Sequence, residues 1–168
     1  MLATMLTLTL ASKKVAAQNP ELNLSLRVMG QQRSLTLRDS IILHFEISNS
    51  SQHPVGVFAK LGMGYQGGLI LHIVDAAGAE VQPPVLPHDA LDLEAVRDVR
   101  NYFQLQPSQF FGTSQSFLLS ELVSKPGHYK LIAEYHCPVD SKYAKITDFW
   151  DVQRKSIISS ELDLTVGP

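Results

Sequence analysis

The sequence lacks the features that mark most specialised protein classes. Cys137 is the single cysteine among 168 residues, which excludes an internal disulfide and is too few for a thiolate zinc site. With 14 basic and 16 acidic residues the formal net charge is −2, so no overall basic field attracts nucleic acid or anionic lipid. No stretch approaches the roughly 18 apolar residues that a helix needs to span a bilayer. The sequence therefore predicts no nucleic-acid partner and no membrane span.

The amino terminus carries the one targeting signal. Residues 1–11 are apolar and hydroxyl-bearing, and residues 15–17 are small, which is the pattern of the hydrophobic region and cleavage site of a signal peptide. No Lys or Arg precedes the apolar run, which leaves open a start upstream of Met1. We expect a signal peptide over residues 1–17, a single domain over residues 18–168, and a secreted or periplasmic product.

Apolar residues recur at every second position in several segments, which is the period of a half-buried β-strand. Eight segments are predicted as strands on this pattern: residues 21–28, 35–48, 55–61, 69–75, 103–105, 114–119, 129–136 and 156–166. A short return strand is also expected to begin at Val81, after a hairpin turn at residues 75–78. Between residues 87 and 103 the period changes to three or four, with Asp89 as a candidate N-cap, which predicts one short helix. The sequence therefore predicts an all-β antiparallel sandwich.

Residues 126–129 read Pro-Gly-His-Tyr at the start of a predicted strand. They resemble the tyrosine corner of immunoglobulin-like domains, in which a Tyr opening strand F bonds to upstream backbone. Leu131 stands where antibody domains have a Cys, and the single Trp, Trp150, lies in a loop, so an antibody-type domain is excluded. The chain is instead similar to immunoglobulin-like domains of bacterial secreted proteins. That resemblance implies an immunoglobulin-like antiparallel β-sandwich of about eight strands with one short helical insertion, and no particular activity.

A weaker likeness connects residues 45–49 and 75–78 with the intracellular proteinase inhibitor domain. It implies a binder that presents an exposed, rigid loop to a protease cleft. This likeness supplies the first alternative function, a proteinase inhibitor-like domain.

Two patterns could carry cofactor or metal chemistry. Gly62, Gly64 and Gly67 satisfy G-x-G-x-x-G, but a strand-like segment follows them, so no helix N-terminus is expected where a pyrophosphate would bind. Six histidines lack the close spacing of a local metal site. His44, His72 and His136 fall on the solvent-facing parity of their strands, so a surface metal site stays open, and with it a metal-dependent hydrolase or accessory domain as a second alternative. We predict no catalytic, cofactor or metal residues and no cofactor.

The candidate functional site is a loop. Residues 137–155 separate the last two predicted strands and contain the aromatic residues Tyr143, Phe149 and Trp150. Clustered aromatics on a loop at the end of a sandwich form a plausible recognition surface, and the alternative is that these rings fold back over the core. We expect a non-enzymatic exported module that binds a protein or cell-envelope partner through such loops. The sequence indicates neither the partner nor the oligomeric state.

Overall fold

The computed structural model describes residues 24–30, 35–84 and 91–168. The predicted signal peptide over residues 1–17 and the candidate N-cap Asp89 lie outside these residues. The described part of the chain is dominated by strands, so the predicted all-β class is confirmed. The strands are β1 (Leu24–Gly30), β2 (Leu35–Thr36), β3 (Ser40–Asn49), β4 (Val55–Phe58), β5 (Gly62–Met63), β6 (Gly68–Asp75), β7 (Tyr102–Leu105), β8 (Phe110–Leu118), β9 (Gly127–Tyr135), β10 (Ile157–Ile158) and β11 (Leu162–Gly167). Two short helices, α1 (Leu93–Arg97) and α2 (Leu119–Leu122), and a 3-10 turn, Val99–Asn101, complete the described elements.

The strands form three sheets. Sheet A is antiparallel with the order β1-β3-β8. Sheet B has the order β2-β11-β9-β6-β5, with β10 added beside β9. Sheet C is the antiparallel pair β4-β7. Most pairs are antiparallel as predicted, but the short pairs β2-β11 and β5-β6 are parallel. That the strands follow an immunoglobulin-like topology stays a prediction.

The core contains the alternate residues of the long strands. In β3 the buried side chains include Ile41, Leu43, Phe45 and Ile47, and the side chains between them are exposed or half-buried. In β9 the buried positions are likewise every second residue from Tyr129 to Tyr135. Each such aliphatic or aromatic side chain contributes roughly 1.5–3 kcal/mol by leaving water, so this period-two pattern is the main stabilising feature.

Two predicted strands are each split in the structure. Residues 35–48 were expected to be continuous, but β2 and β3 are separated by a turn in which the Thr36 amide donates to the Asp39 carboxylate at 2.7 Å. The Asp39 amide donates back to the Thr36 carbonyl at 3.0 Å. As a result β2 pairs with β11 in sheet B, whereas β3 belongs to sheet A. Residues 156–166 are similarly divided into β10 and β11.

The predicted helical segment is shorter than its sequence pattern. Asp92 is the N-cap of α1, since its side chain accepts from the amides of Glu94 and Ala95 at 3.0 Å each. A second aspartate, Asp98, ends α1 and caps the following 3-10 turn. The return strand expected from Val81 is not formed; only an isolated bridge joins Val74 and Glu80 after the turn at residues 75–78.

The Tyr129 side chain makes the bond that the resemblance implied. Its hydroxyl donates to the carbonyl of Lys125 at 2.8 Å, four residues upstream. The bond fixes the turn that opens β9. Within the described residues, no helix has the length and apolar character needed to cross a membrane.

Candidate functional site

The three aromatic residues predicted as a site do not form one exposed cluster. Phe149 and Trp150 are each 7% exposed and belong to the core, whereas Tyr143 is 51% exposed. The alternative in which the rings fold back over the core therefore holds for two of the three. Whether any of them binds a partner stays a prediction.

Phe149 and Trp150 attach their loop to sheet C. The amide of Gly56 donates to the carbonyl of Asp148 at 3.0 Å, and the amide of Trp150 donates to the carbonyl of Gly56 at 2.8 Å. The ring of Phe149 packs 5.6 Å from that of Tyr102, measured between centroids. These contacts fix one side of the long loop against β4, so the part that precedes them is presented from a rigid base.

The tip turn, residues 140–145, is an exposed part of this loop. The amide of Tyr143 donates to the carbonyl of Asp140 at 3.0 Å, and the amide of Ala144 donates to the carbonyl of Ser141 at 3.1 Å. The Lys142 ammonium lies 5.0 Å from the centroid of the Tyr143 ring, a cation–π contact. Tyr143 therefore projects from a turn that is closed by its own hydrogen bonds.

A second exposed tyrosine lies on the glycine loop, residues 62–68. Tyr65 is 61% exposed at the tip of this loop. Gly64 and Gly68 have φ angles of 93° and 90°, a conformation that side chains disfavour. A Cβ on Gly67 would lie 2.5 Å from the backbone carbon of Gly62, so the two arms of the loop touch. Strand β6 follows directly, which agrees with the expectation that no helix N-terminus is available for a dinucleotide.

Tyr65 is held by His136. The two rings stack with 4.0 Å between centroids and 27° between planes. The Nε2 atom of His136 also hydrogen-bonds to the carbonyl of Tyr65. His136 was expected to face solvent, but it is only 6% exposed because Tyr65 covers it. Sequence reasoning missed Tyr65; its signal was a bulky aromatic residue in a run of glycines, where no core position is predicted.

The glycine loop and the tip turn leave the same end of sheet B. Strands β6 and β9 are antiparallel with Leu69 opposite Tyr135, so the residues before β6 lie beside the residues after β9. The amide of His136 donates to the carbonyl of Gly68 at 3.0 Å at this point. We call the glycine loop and residues 139–155 together the loop end.

A histidine bridges two carboxylates on the outer face of sheet B. The Nδ1 atom of His72 lies 2.9 Å from Glu80 Oε1, and its Nε2 atom lies 2.8 Å from Glu134 Oε2. The bond to Glu80 is the largest of the effects that raise the pKa of His72, and Glu134 adds to it against the opposing effect of burial. The pKa of Glu134 is lowered, first by a hydrogen bond from Ser156 and then by His72. We call His72, Glu80 and Glu134 the histidine bridge.

The geometry of the histidine bridge is that of a hydrogen-bonded ion pair network. Both ring nitrogens of His72 are bonded to carboxylates, so neither has a lone pair directed at a metal. In the part of the chain that the structure describes, no group of three or more His, Cys, Asp or Glu side chains is arranged to hold a metal ion. His44 is on sheet A and hydrogen-bonds to Ser114 at 2.7 Å, away from this network.

Cys137 has none of the properties of a nucleophile. It is 1% exposed and donates a weak hydrogen bond to the carbonyl of Val139 at 3.7 Å. Burial raises the pKa of its thiol to about 12, so the reactive thiolate is scarce at neutral pH.

Comparisons with known proteins add little to this geometry. The sequence matches no family model, and no curated protein is significantly similar to it. Among solved structures, a β-glucosidase from Erythrobacter marinus is similar at a TM-score of 0.41 and 11% identity, over 87% of this chain and 16% of the glucosidase chain. The ApaA protein of Bordetella pertussis is similar at a TM-score of 0.41 and 15% identity, over 88% of this chain and 94% of that protein. Likenesses this distant carry no argument about function.

Proposed function

We propose that this protein is a non-enzymatic exported binding module that recognises a protein or cell-envelope partner through its loop end, with Tyr65 and Tyr143 as the central contact residues. One observation carries the proposal. Two exposed tyrosine rings, 61% and 51% accessible, stand on two loops that leave the same end of sheet B, and each loop is closed by its own hydrogen bonds.

Tyrosine is well suited to this role. It is enriched among the few residues that contribute most of the binding energy at interfaces, because its ring buries a large area and its hydroxyl can bond. Ordering a mobile side chain on binding costs roughly 0.5–1.5 kcal/mol. Stacking on His136 already restricts Tyr65, and the closed tip turn restricts the backbone of Tyr143, so part of this cost is met before a partner arrives.

The buried pair Phe149 and Trp150 has a supporting role in this proposal. Their contacts with Gly56 and Tyr102 hold residues 146–150 against sheet C. A partner that contacts Tyr143 would therefore meet a loop with little freedom left to lose. The predicted aromatic site thus divides into one contact residue and two anchors.

Three features of the chain support a non-enzymatic module. The thiol of Cys137 is buried, and its pKa of about 12 opposes nucleophilic attack. The ring of His72 is bonded at both nitrogens and is not oriented by a hydroxyl or thiol. A hydrogen bond from Ser156 lowers the pKa of the Glu134 carboxylate, so the partner of this hydroxyl is an acid. An immunoglobulin-like topology and export through residues 1–17 complete the proposal and are suggested by sequence pattern.

The proposal is tested by affinity capture from the source organism with three immobilised proteins. These are the wild type, the double variant Tyr65→Ser with Tyr143→Ser, and the control Ile42→Ser. Ile42 is 44% exposed on sheet A and lies outside the loop end. We expect one protein or envelope component to be retained by the wild type and by Ile42→Ser and to be lost with the double variant. The captured partner is then titrated against each protein by calorimetry.

If both rings are central to the interface, the binding free energy of the double variant should be weaker than that of the wild type by more than about 2 kcal/mol. A partner that binds the double variant as tightly as the wild type contradicts the proposal. Circular dichroism of each variant shows whether the substitutions have left the fold intact.

The proteinase inhibitor-like alternative shares the tip turn, since an exposed, internally bonded turn is what a protease cleft accepts. Inhibition assays with a protease panel separate the two. Tight inhibition that is lost with Lys142→Ala, a residue on that turn, would favour the inhibitor.

A further inference from the structure

Strand β8 is the terminal strand of sheet A. It is nine residues long, Phe110–Leu118, and pairs with β3 along its whole length. Within residues 24–30, 35–84 and 91–168 no strand pairs with its other side. An edge of this length presents a row of backbone donors and acceptors to any strand that can reach it.

The edge carries none of the usual protection. Natural edge strands are shielded by charged side chains, proline, bulges or short length. The sequence of β8, FFGTSQSFL, contains no charged residue and no proline. Phe110 at one end is 65% exposed and Leu118 at the other is 39% exposed. The strand therefore has the composition of a pairing surface.

The hydrogen-bond pattern identifies which groups point outward. At one end of the strand pair, the backbone amide of Asn49 in β3 donates to the carbonyl of Gln109, so the carbonyl of this odd-numbered residue points toward β3. In an antiparallel pair alternate residues direct both backbone groups to the partner strand and the intervening residues direct both away. The even-numbered residues of β8 are therefore the outward ones. In agreement, the amide of Leu118 donates to Glu121 rather than to β3.

We propose that two copies of this chain pair through β8, antiparallel and edge to edge, with a two-fold axis at Ser114. The inference is independent of the proposed function, because it involves sheet A and not the loop end. Its basis is that the strand is nearly palindromic about Ser114. Antiparallel pairing on this axis places each residue opposite its counterpart at the same distance from Ser114.

Self-pairing in this register places apolar side chains of one copy opposite apolar side chains of the other. On the outer face, Phe110 of one copy lies opposite Leu118 of the other, and on the core face Phe111 lies opposite Phe117. Cross-strand apolar and aromatic pairs of this kind stabilise a sheet. Phe111 and Phe117 are half-buried, so each would gain cover from the second copy. The small and polar residues fall in the centre of the strand. There the outward backbone groups of Ser114 meet those of Ser114 in the second copy.

A second copy fits this edge better than an unrelated strand. Strand β8 is complementary to itself in this register, so no other sequence is needed to pair with it. A two-fold axis is also the commonest symmetry of soluble oligomers. The absence of charge along β8 means that like charges do not meet across the axis.

The first test is the mass of the chain in solution. Sedimentation equilibrium of the 168-residue protein should give twice the monomer mass of 18.6 kDa at high concentration and dissociate on dilution. Ser114→Lys places two ammonium groups opposite each other at the axis. It should weaken dimerisation by about fivefold or more, because like charges directly opposite across strands are destabilising.

The matched control is Thr165→Lys. Thr165 is an exposed strand residue of sheet B whose hydroxyl hydrogen-bonds to His128 at 3.1 Å, as that of Ser114 does to His44 at 2.7 Å. Both variants lose the same kind of bond and gain the same charge. Only Ser114→Lys should change the dimer constant.

A charge exchange tests the register. Ser114→Glu alone should be as weak a dimer as Ser114→Lys, and an equal mixture of the two should recover the dimer as a heterodimer. Recovery shows that loss of dimer in each single variant is not loss of fold. The proposal is overturned by a wild-type monomer throughout the concentration range, by unchanged dimerisation of Ser114→Lys, or by a mixture that stays monomeric.

Discussion

The ring of Tyr65 lies on the ring of His136, with 4.0 Å between the centroids, and this contact joins an exposed loop to a buried residue at the end of a strand. His136 follows β9 directly, and its amide bonds to Gly68 at the start of β6. The contact therefore links the glycine loop to the centre of sheet B. A loop rich in glycine is entropically costly to order, and the stack, together with the loop's own hydrogen bonds, offsets that cost.

Replacing Tyr65 tests the stack. Tyr65→Ala should reduce the free energy of unfolding by about 1 kcal/mol, since aromatic pairs contribute about 0.5–1.5 kcal/mol beyond their buried area. Tyr65→Phe keeps the ring and should be close to the wild type. Urea denaturation measures both. Tyr143→Ala is the control, because that ring is 51% exposed with Lys142 5.0 Å from its centroid, and its loss should cost less than about 0.5 kcal/mol. Equal losses for the two alanine variants would contradict a structural role for the stack.

The histidine bridge predicts a pH-dependent contribution to stability. The pKa of His72 in the folded protein lies above its ordinary value of 6.5, so the charged ring stabilises the fold fully below that value. The contribution is lost as the pH rises through the folded pKa. The pKa of Glu134 is lowered, so its own contribution is present above its ordinary value of 4.5 and is lost at more acidic pH. The stabilising contributions of His72 and Glu134 are therefore both fully present between pH 4.5 and pH 6.5.

His72→Gln should consequently cost more stability at pH 5.5 than at pH 8.5. We expect the difference to stay below about 1 kcal/mol, because the network is partly solvated. Glu80→Gln should lower the pKa of His72, followed through its ring protons by NMR, because the bond to Glu80 is the largest cause of the shift. Glu46→Gln on sheet A is the control and should leave that pKa unchanged. An unchanged pKa in Glu80→Gln would show that the bond does not form in solution.

Period-two patterning was sufficient to predict the class of the fold and its long strands, and insufficient to predict where strands break or how they pair into sheets. The alternation of β3 and β9 is visible in sequence because one face of each strand is buried. The break between β2 and β3 depends on the Asp39 side chain closing a turn, and alternation carries no such signal. The candidate site shows the same limit. Aromatic composition identified Tyr143 and Trp150 equally, and only tertiary contacts with Gly56 separate the exposed ring from the buried one.

Gly56 is the position at which the long loop meets sheet C. A Cβ there would lie 2.7 Å from Cδ1 of Ile146 and 3.0 Å from the carbonyl oxygen of Thr147. Gly56→Ala should cost about 1–3 kcal/mol, as overpacking of a filled site does. Adding Ile146→Ala removes the nearer clash, so the double variant should be more stable than the sum of the two single effects predicts. Strict additivity in urea denaturation would show that the loop does not rest on β4.

Trp150 has an indole Nε1 that is buried without a hydrogen-bond partner among the described residues. A buried unsatisfied donor costs about 1–3 kcal/mol, which reduces the net contribution of this ring. Trp150→Ala should destabilise by about 3–5 kcal/mol through the cavity that it leaves. Trp150→Phe removes the unsatisfied donor and keeps most of the packing, so its cost should be less than half as large in the same denaturation assay. A Phe variant as unstable as the Ala variant would contradict a net cost of the unsatisfied donor.

Cys137 provides a probe of the core at the loop end. Burial keeps its thiol 1% exposed and raises its pKa to about 12, so both access and ionisation oppose alkylation in the folded protein. At pH 8 the folded chain should resist iodoacetamide, whereas the chain in concentrated urea should react within minutes. Because the thiol lies beside Val139, where the loop end begins, a variant that loosens this loop, such as Gly56→Ala, should react faster than the wild type at the same urea concentration. Rapid alkylation of the folded wild type, independent of urea, would contradict the buried position of this side chain and the rigid base on which the tip turn stands.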